Sequence, residues 1–241
     1  MKLSTIAKTS LALGILTTGI ITTHAQSASA AEATSANVQT PTQNENNALN
    51  EIKAYYNKSY QELRSVNGFK AKNKDNIIVV KKEGQTTAIK VADKDKHKYN
   101  PGNLSNIDVF VVNENQPGKK VVKTTGAITK ANSGPYFDYV ASPPISISKP
   151  SKDVTSQMDG LPFPIFKEHV SLKELDFKLR KQLMEKHGLY QNGLSQGKIV
   201  IKMNSGKADD VYTFELNKKL QDHRMGDVID ARKIKEIQVE L

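Results

Sequence analysis

One well-patterned helix separates two groups of short, strand-like segments, and this arrangement limits the possible folds more than any other feature of the sequence. Between residues 68 and 148, hydrophobic residues recur with a period of two, and Gly, Asn and Pro punctuate the runs. Five or six short strands at such close spacing predict a small barrel or sandwich. The individual runs are residues 77–80, 86–91, 107–112, 121–122, 136–140 and 145–147.

The helix itself is predicted over residues 171–187. Ser171 and Glu174 have the spacing of a capping box, in which each side chain satisfies a free amide of the first turn, and Gly188 supplies an end signal. One face is lined by Leu172, Leu175, Leu179 and Leu183. Two i,i+4 ion pairs are expected along it, Glu174 with Lys178 and Asp176 with Arg180. Three strand-like runs follow, so the second half is predicted to be an α+β domain.

The N-terminal 30 residues have the pattern of a secretory signal peptide. Two lysines precede a mostly apolar run, and Ala-Ser-Ala at residues 28–30 is a small-x-small cleavage pattern, so we expect cleavage near Ala30. The apolar run is too short and interrupted for a transmembrane span. Residues 31–47 predict a disordered leader, residues 48–64 a short helix, and the proline-rich residues 149–165 a domain boundary.

The absence of cysteine excludes disulfides, thiolate metal sites and cysteine nucleophiles. A secreted chain without cysteine fits a bacterium that exports proteins without oxidative folding. The chain has 35 basic and 25 acidic side chains, and removal of residues 1–30 takes away two lysines and no acid, which leaves 33 − 25 = +8. Outside the cell this charge favours anionic partners such as sialylated or sulfated glycans and acidic receptor segments. Aromatic residues are too sparse to predict nucleic-acid binding.

No catalytic or metal site is predicted. Residues 193–197 match the hydrolase pattern G-x-S-x-G around Ser195. That motif requires a strand before the serine and a helix after it, whereas here the helix comes first, so we interpret the segment as a loop. The histidines of the mature chain do not have ligand spacing, and they are His97, His169, His187 and His223. We therefore expect no cofactor.

Residues 167–190 (KEHVSLKELDFKLRKQLMEKHGLY) resemble the signature segment of the staphylococcal and streptococcal superantigen toxins. The eight fixed positions that match are Lys167, Val170, Leu175, Asp176, Arg180, Leu183, Leu189 and Tyr190. Residues 125–129 (TGAIT) resemble a degenerate form of the second signature of that superfamily. The signal peptide, residues 106–110 and the tail from residue 212 make the chain most similar to the staphylococcal superantigen-like exoproteins.

This resemblance implies an α+β protein with an N-terminal OB-fold β-barrel, expected over residues 48–150, and a C-terminal β-grasp domain, expected over residues 151–241. It also implies a secreted protein that is not an enzyme, does not insert into membranes and has no T-cell superantigen activity. Such proteins blunt innate neutrophil and complement responses by binding host leukocyte receptors or plasma glycoproteins. A true mitogenic superantigen and an exported hydrolase using Ser195 are the alternatives.

One branch of the family binds sialyl Lewis X, and residues 212–216 (YTFEL) with the later Arg-Met pair resemble its pattern. On this resemblance Thr213 hydrogen-bonds the sugar and Arg224 pairs with the sialate carboxylate, which suits the guanidinium geometry. Asp222 and Asp227 are further candidates for contacts with sugar hydroxyls. The competing interpretation is that residues 212–216 are simply a strand.

The loop over residues 205–211 departs from the glycan-binding pattern because it looks longer than in those relatives. It brings Asp209 and Asp210 close to the candidate site, and two added carboxylates repel an anionic sugar. The sequence leaves open which host molecule is bound, which domain carries the main binding surface, and the oligomeric state.

Overall fold

The computed structural model describes residues 43–74, 76–115, 118–150, 155–159, 162–207 and 210–241. The expected signal peptide (residues 1–30) and most of the expected leader, as far as residue 42, lie outside these ranges. Within them, helix α1 spans Gln43–Asn57 and buries Ile52, Tyr55 and Tyr56. The helix thus begins five residues before the expected Ala48 and ends seven residues before residue 64, where the next strand has already begun.

The first half of the described chain forms a six-stranded sheet. Its strands are β1 (Tyr60–Lys70), β2 (Ile77–Lys82), β3 (Gln85–Lys90), β4 (Gly102–Val112), β5 (Val121–Thr125) and β6 (Ile128–Lys130), in the order β5-β3-β2-β1-β4-β6. Only the β3–β5 pair is parallel among these neighbours. The register of β1 against β4 shifts between Leu63 and Val66, where Ser65 has a φ of 47°. An extra residue of this kind increases the local twist and helps the sheet to curl around its own core.

One predicted strand of this half is wrong. Residues 136–140 form a loop, not a strand, and their aromatic side chains face solvent. The segment lies between Pro135 and Pro143, and prolines lack the N–H that a sheet ladder needs. Only its end is paired, through an isolated antiparallel bridge between Ala141 and Ile165.

The second half contains β7 (Ile145–Pro150), β8 (Thr155–Asp159), β9 (His169–Ser171), α2 (Leu172–His187), β10 (Lys198–Met203), β11 (Val211–Glu215), β12 (Val228–Asp230) and β13 (Ile234–Glu240). Five of these strands form a sheet in the order β11-β10-β13-β7-β8, and β9 pairs with β12. Strand β7, which the sequence placed with the first group, runs parallel to β13. Residues 149–165, expected as a domain boundary, include strand β8. This strand lies at the edge of the sheet, so the prolines that flank it do not interrupt hydrogen bonds to a further strand.

Helix α2 confirms the sequence prediction in its bounds and in its buried leucine face. The Ser171 hydroxyl accepts the Glu174 N–H at 3.1 Å, and Gly188 ends the helix with a φ of 71°. The capping box is only half formed, because the Glu174 carboxylate binds Lys167 and Lys178 instead of reaching back to residue 171. The buried Lys167 ammonium and the half-buried Lys178 ammonium both bind that carboxylate, and a charged partner outweighs a neutral amide.

Candidate functional site

A buried ionic network fixes the end of β11, the strand on which the sequence placed the candidate site. The Arg180 side chain is fully buried, and its Nε donates to the Asp176 carboxylate at 2.7 Å. Its two terminal nitrogens donate to the carbonyls of Leu216 and Glu215, both at 2.9 Å. The Tyr56 hydroxyl of α1 donates to the same Asp176 carboxylate. Burial and this carboxylate raise the pKa of Tyr56, so its hydroxyl keeps its proton across the physiological range.

Strand β11 is the edge strand of the five-stranded sheet and carries Thr213 in register with Val200 of β10. The side chain of Thr213 is half-buried, whereas the neighbouring Phe214 is fully buried. Because side chains alternate along a strand, Thr213 lies on the face opposite Tyr212 and Phe214. Residues 212–215 lie in strand β11, which leaves the half-buried Thr213 hydroxyl at the sheet edge.

Arg224 lies in a short 3-10 turn, Asp222–Arg224, that follows β11. Its guanidinium carbon is 5.7 Å from the centre of the Phe214 ring, a cation–π arrangement, and its Nη1 donates to the Gln221 side chain at 3.2 Å. The hydrogen bond from Lys218 lowers the pKa of Glu215, and the charge of Arg224 adds to this effect. Arg224 is thus oriented by an aromatic face and an amide, with no carboxylate bound directly to it among the described residues.

The two aspartates differ in how much freedom they have. Asp222 is exposed, and its carboxylate lies 3.8 Å from the Lys219 ammonium. Asp227 forms a 2.5 Å ion pair with Lys94 of the first half, and its carbonyl accepts the N–H of Leu172 at 2.9 Å. The structure therefore leaves Asp222 available to a ligand and assigns Asp227 to contacts within the protein.

The acidic loop before β11 also has a visible electrostatic effect. Burial, together with the negative charges of Asp210 and Asp227, raises the pKa of Tyr212. Tyr212 shares a face of the strand with Phe214, over whose ring the Arg224 guanidinium lies, so this negative charge acts on the side of the strand where Arg224 is found. Asp209, the second acidic residue that the sequence analysis flagged, lies outside the described residues.

Main-chain contacts from the first half hold the turn that carries Arg224. The N–H of Ala127 donates to the carbonyl of Met225 at 3.1 Å. Gly126 has a φ of 62°, and a Cβ placed there would lie 2.6 Å from the carbonyl carbon of Met225. A side chain at this position is excluded both by the backbone conformation and by the approach of the turn. The TGAIT segment therefore has a structural reason for its glycine that the sequence alone did not reveal.

The remaining candidate residues do not form a site. Ser195 lies in the loop between α2 and β10, in the order that the hydrolase motif does not permit. Within the described ranges, no group of three or more His, Asp or Glu side chains could hold a metal ion. No described helix is long and apolar enough to cross a membrane.

The six-stranded curled sheet followed by a helix-bearing five-stranded sheet defines a class, the two-domain bacterial toxins with an OB-fold and a β-grasp domain. Residues 50–132 match the family model of the staphylococcal superantigen-like OB-fold domain. Residues 143–241 match that of the staphylococcal/streptococcal toxin β-grasp domain. The chain belongs to the staphylococcal superantigen-like family, which confirms both the resemblance and the fold expected from it.

Relatives in Staphylococcus aureus support the same assignment along the whole chain. The chain is 40% identical to staphylococcal superantigen-like 1 of strain Newman over 242 residues, which cover all of both proteins. It is 42% identical to superantigen-like protein 11 of the same strain over 241 residues, again with full coverage of both.

Solved structures of this family include complexes with sialylated glycans. The staphylococcal superantigen-like protein SSL5 in complex with sialyl Lewis X has a TM-score of 0.73 and 36% identity, covering 80% of this chain and 99% of that one. Another S. aureus superantigen-like protein with sialyl Lewis X has a TM-score of 0.73 and 38% identity, covering 80% and 98% of the two chains. A third is bound to 3-N-acetylneuraminyl-N-acetyllactosamine, with a TM-score of 0.70 and 38% identity over 80% and 97% of the chains.

Proposed function

We propose that this protein is a secreted, non-enzymatic immune-evasion factor that binds glycoproteins of host leukocytes and plasma, and that it captures their sialylated glycans at the β11 edge. The observation that carries the proposal is that similar folds at 36% and 38% identity have been crystallised with sialyl Lewis X. The signal-peptide pattern of residues 1–30 supports secretion, and the positive charge of the mature chain supports an anionic partner.

Within this proposal, Thr213 and Arg224 have the central roles. The Thr213 hydroxyl both donates and accepts, as sugar hydroxyls require. The Arg224 guanidinium uses one hydrogen bond on Gln221, and its planar fork suits the two oxygens of a sialate carboxylate. The cation–π contact with Phe214 lowers the entropic cost of holding that geometry.

The two aspartates contribute less. Asp222 is exposed at the start of the turn and is able to accept from a sugar hydroxyl. Asp227 already pairs with Lys94, so a sugar contact there would break an ion pair. We therefore propose that Asp227 maintains the turn and that Asp222 lies at the rim of the site.

The test is flow cytometry of the labelled mature chain on human neutrophils, monocytes and lymphocytes, with and without sialidase. Sialidase and Arg224→Ala should each reduce binding at least tenfold, because both remove the charge pair that the site depends on. Lys235→Ala is the matched control, since it removes one positive charge from an exposed position on β13, two strands away. Equal binding by Arg224→Ala and the unsubstituted protein would reject the β11 site.

The broader proposal fails if the mature protein binds neither leukocytes nor plasma glycoproteins. T-cell proliferation in the presence of cells that carry MHC class II would instead indicate a mitogenic superantigen. Labelling of Ser195 by a fluorophosphonate probe would indicate a hydrolase.

A further inference from the structure

Four large aromatic side chains lie exposed on one small region of the surface, which we call the aromatic platform: Tyr136, Phe137, Tyr139 and Phe166. Phe137 is completely exposed, and Phe166 is 51% exposed. The bridge between Ala141 and Ile165 brings the loop that carries Tyr136, Phe137 and Tyr139 beside Phe166. Exposed aromatic side chains on neighbouring segments indicate an interaction site, because it costs free energy to leave them in water.

The platform is held in place by hydrogen bonds to its backbone, to neighbouring side chains and to the hydroxyl of Tyr136. The buried Glu168 carboxylate accepts from the Tyr136 hydroxyl at 2.6 Å and from the Ser133 hydroxyl at 2.7 Å. The Asn132 amide donates to the Phe166 carbonyl at 3.0 Å and accepts from the Glu168 N–H at 2.9 Å. A loop fixed in this way presents its aromatic rings without paying ordering entropy when a partner binds.

We propose that the aromatic platform docks into an apolar pocket of a host protein, and that the rim of this pocket carries a basic side chain. Phe137 is the anchor, since a fully exposed aromatic ring gains the most from entering a pocket. The requirement for a basic group comes from Asp138, which lies between Phe137 and Tyr139 and is exposed. Its carboxylate accepts the N–H of Tyr139 at 2.8 Å, and no described cation pairs with it. A carboxylate buried with the rings must gain a partner charge.

The same carboxylate disfavours two other occupants. Insertion of Phe137 into a lipid bilayer would bring Asp138 towards hydrocarbon, where a charge is costly. A two-fold contact with a second copy centred on Phe137 would place the two Asp138 carboxylates near each other, and like charges repel. The platform adds to the proposed function a protein contact that does not need a glycan. It rests on the proposed function only for the premise that the chain meets host proteins.

The experiment is a binding titration of the labelled mature chain on sialidase-treated neutrophils and monocytes, and on immobilised, desialylated plasma proteins. Phe137→Ala should weaken the remaining binding at least tenfold, as expected for the loss of an aromatic anchor. Phe69→Ala is the matched control, because this phenylalanine is 50% exposed on β1, outside the platform, and it should bind like the unsubstituted chain. Neither substitution removes a buried group, so both proteins should keep the unfolding temperature of the parent.

Two further substitutions sharpen the result. Asp138→Lys reverses the charge that selects the partner and should weaken binding at least as much as Phe137→Ala. Tyr136→Phe keeps the ring but removes its bond to Glu168, so it should weaken binding by only about two- to fivefold, through loss of preorganisation.

Each other result overturns the inference. If sialidase abolishes all binding, the glycan function stands and the platform has no protein partner. If the remaining binding survives Phe137→Ala, or falls equally with Phe69→Ala, the platform is not the contact. Binding to phosphatidylcholine vesicles, or a dimer in sedimentation velocity, would identify lipid or a second copy as the occupant if it requires Phe137. A chain that binds nothing even before sialidase treatment would reject the proposed function as well.

Discussion

Helix α2 and the edge of β11 use charged side chains in opposite ways. On α2, Asp176 and Arg180 are fully buried, and each has several partners within the protein. At the β11 edge, Arg224 is half-buried and has a single side-chain hydrogen bond. The signature segment of this chain is thus a scaffold whose polar groups are already satisfied, whereas the proposed binding residue Arg224 still has donors without partners.

The most severe test of this comparison is Arg180→Ala. We expect a loss of about 3–5 kcal/mol in the free energy of unfolding, because the buried Asp176 carboxylate loses its ion-pair partner and the carbonyls of Glu215 and Leu216 each lose one hydrogen bond. Urea unfolding followed by circular dichroism measures it. Arg224→Ala is the counterpart and should change stability by less than about 0.5 kcal/mol. Similar losses of unfolding free energy in the two variants would show that Arg180 and Arg224 do not differ in their contribution to stability.

A second prediction concerns Lys173, which extends the α2 scaffold into the first sheet. Its ammonium donates at 2.8 Å to the Glu114 carboxylate, the Thr124 hydroxyl and the Thr125 carbonyl. Lys173→Met should cost about 2–3 kcal/mol, because the half-buried Glu114 carboxylate loses its ion-pair partner and the Thr125 carbonyl loses a hydrogen bond. Thermal unfolding should then show a lower midpoint, and Lys181→Met, a half-buried position with no ion pair to Glu114, should stay near the parent value.

The same contact predicts a dependence on pH. Burial alone would raise the pKa of Glu114, but the Lys173 ammonium and its hydrogen bond outweigh burial and hold that pKa below the usual 4.5. A carboxyl group with a lowered pKa in the folded state stabilises the protein above pH 4.5, and this contribution disappears as the pH falls further. Glu114→Gln should remove this acid-sensitive contribution, because an amide does not titrate. Unfolding curves from pH 7 to pH 3 test it, and an unchanged acid slope would contradict it.

On the alkaline side, Lys173 gives a second slope of the same sign, in which stability again rises with pH. Burial lowers the pKa of Lys173 from 10.5 to about 8. Between pH 8 and pH 10.5 the unfolded chain therefore binds more protons at this residue, so its own contribution raises stability as the pH rises. Lys173→Met should remove this rise, which a comparison of unfolding free energies at pH 7.5 and pH 9.5 detects.

The smallest expected effect is at the helix cap. Ser171→Ala removes the acceptor of the Glu174 N–H and should cost about 1 kcal/mol. Residue 171 is fully buried, so Ser171→Asp would bury a charge and is not a suitable control. Ser171→Thr keeps the hydroxyl and should retain most of the stability. Binding by the folded protein should not change in either variant, since the cap belongs to the scaffold.

Local signals in the sequence predicted helix α2, its N-cap, its leucine face and most strands of the first sheet. They did not predict that residues 145–150 pair with β13, because that parallel contact joins segments about ninety residues apart. They also missed β1 before residue 65, where a polar segment gains its strand conformation from pairing with β4. At the candidate site, motif resemblance predicted Thr213 and Arg224, but the ion pair that occupies Asp227 depends on Lys94, 133 positions away.

The main-chain contacts behind Arg224 have an evolutionary consequence. Gly126 and Ala127 hold the turn through the backbone of Met225, and the carbonyl of Asp227 receives the N–H of Leu172. None of these contacts depends on which side chains occupy residues 222–224. Point mutations in the turn should therefore change the side chains that it presents to solvent while the backbone underneath stays in place.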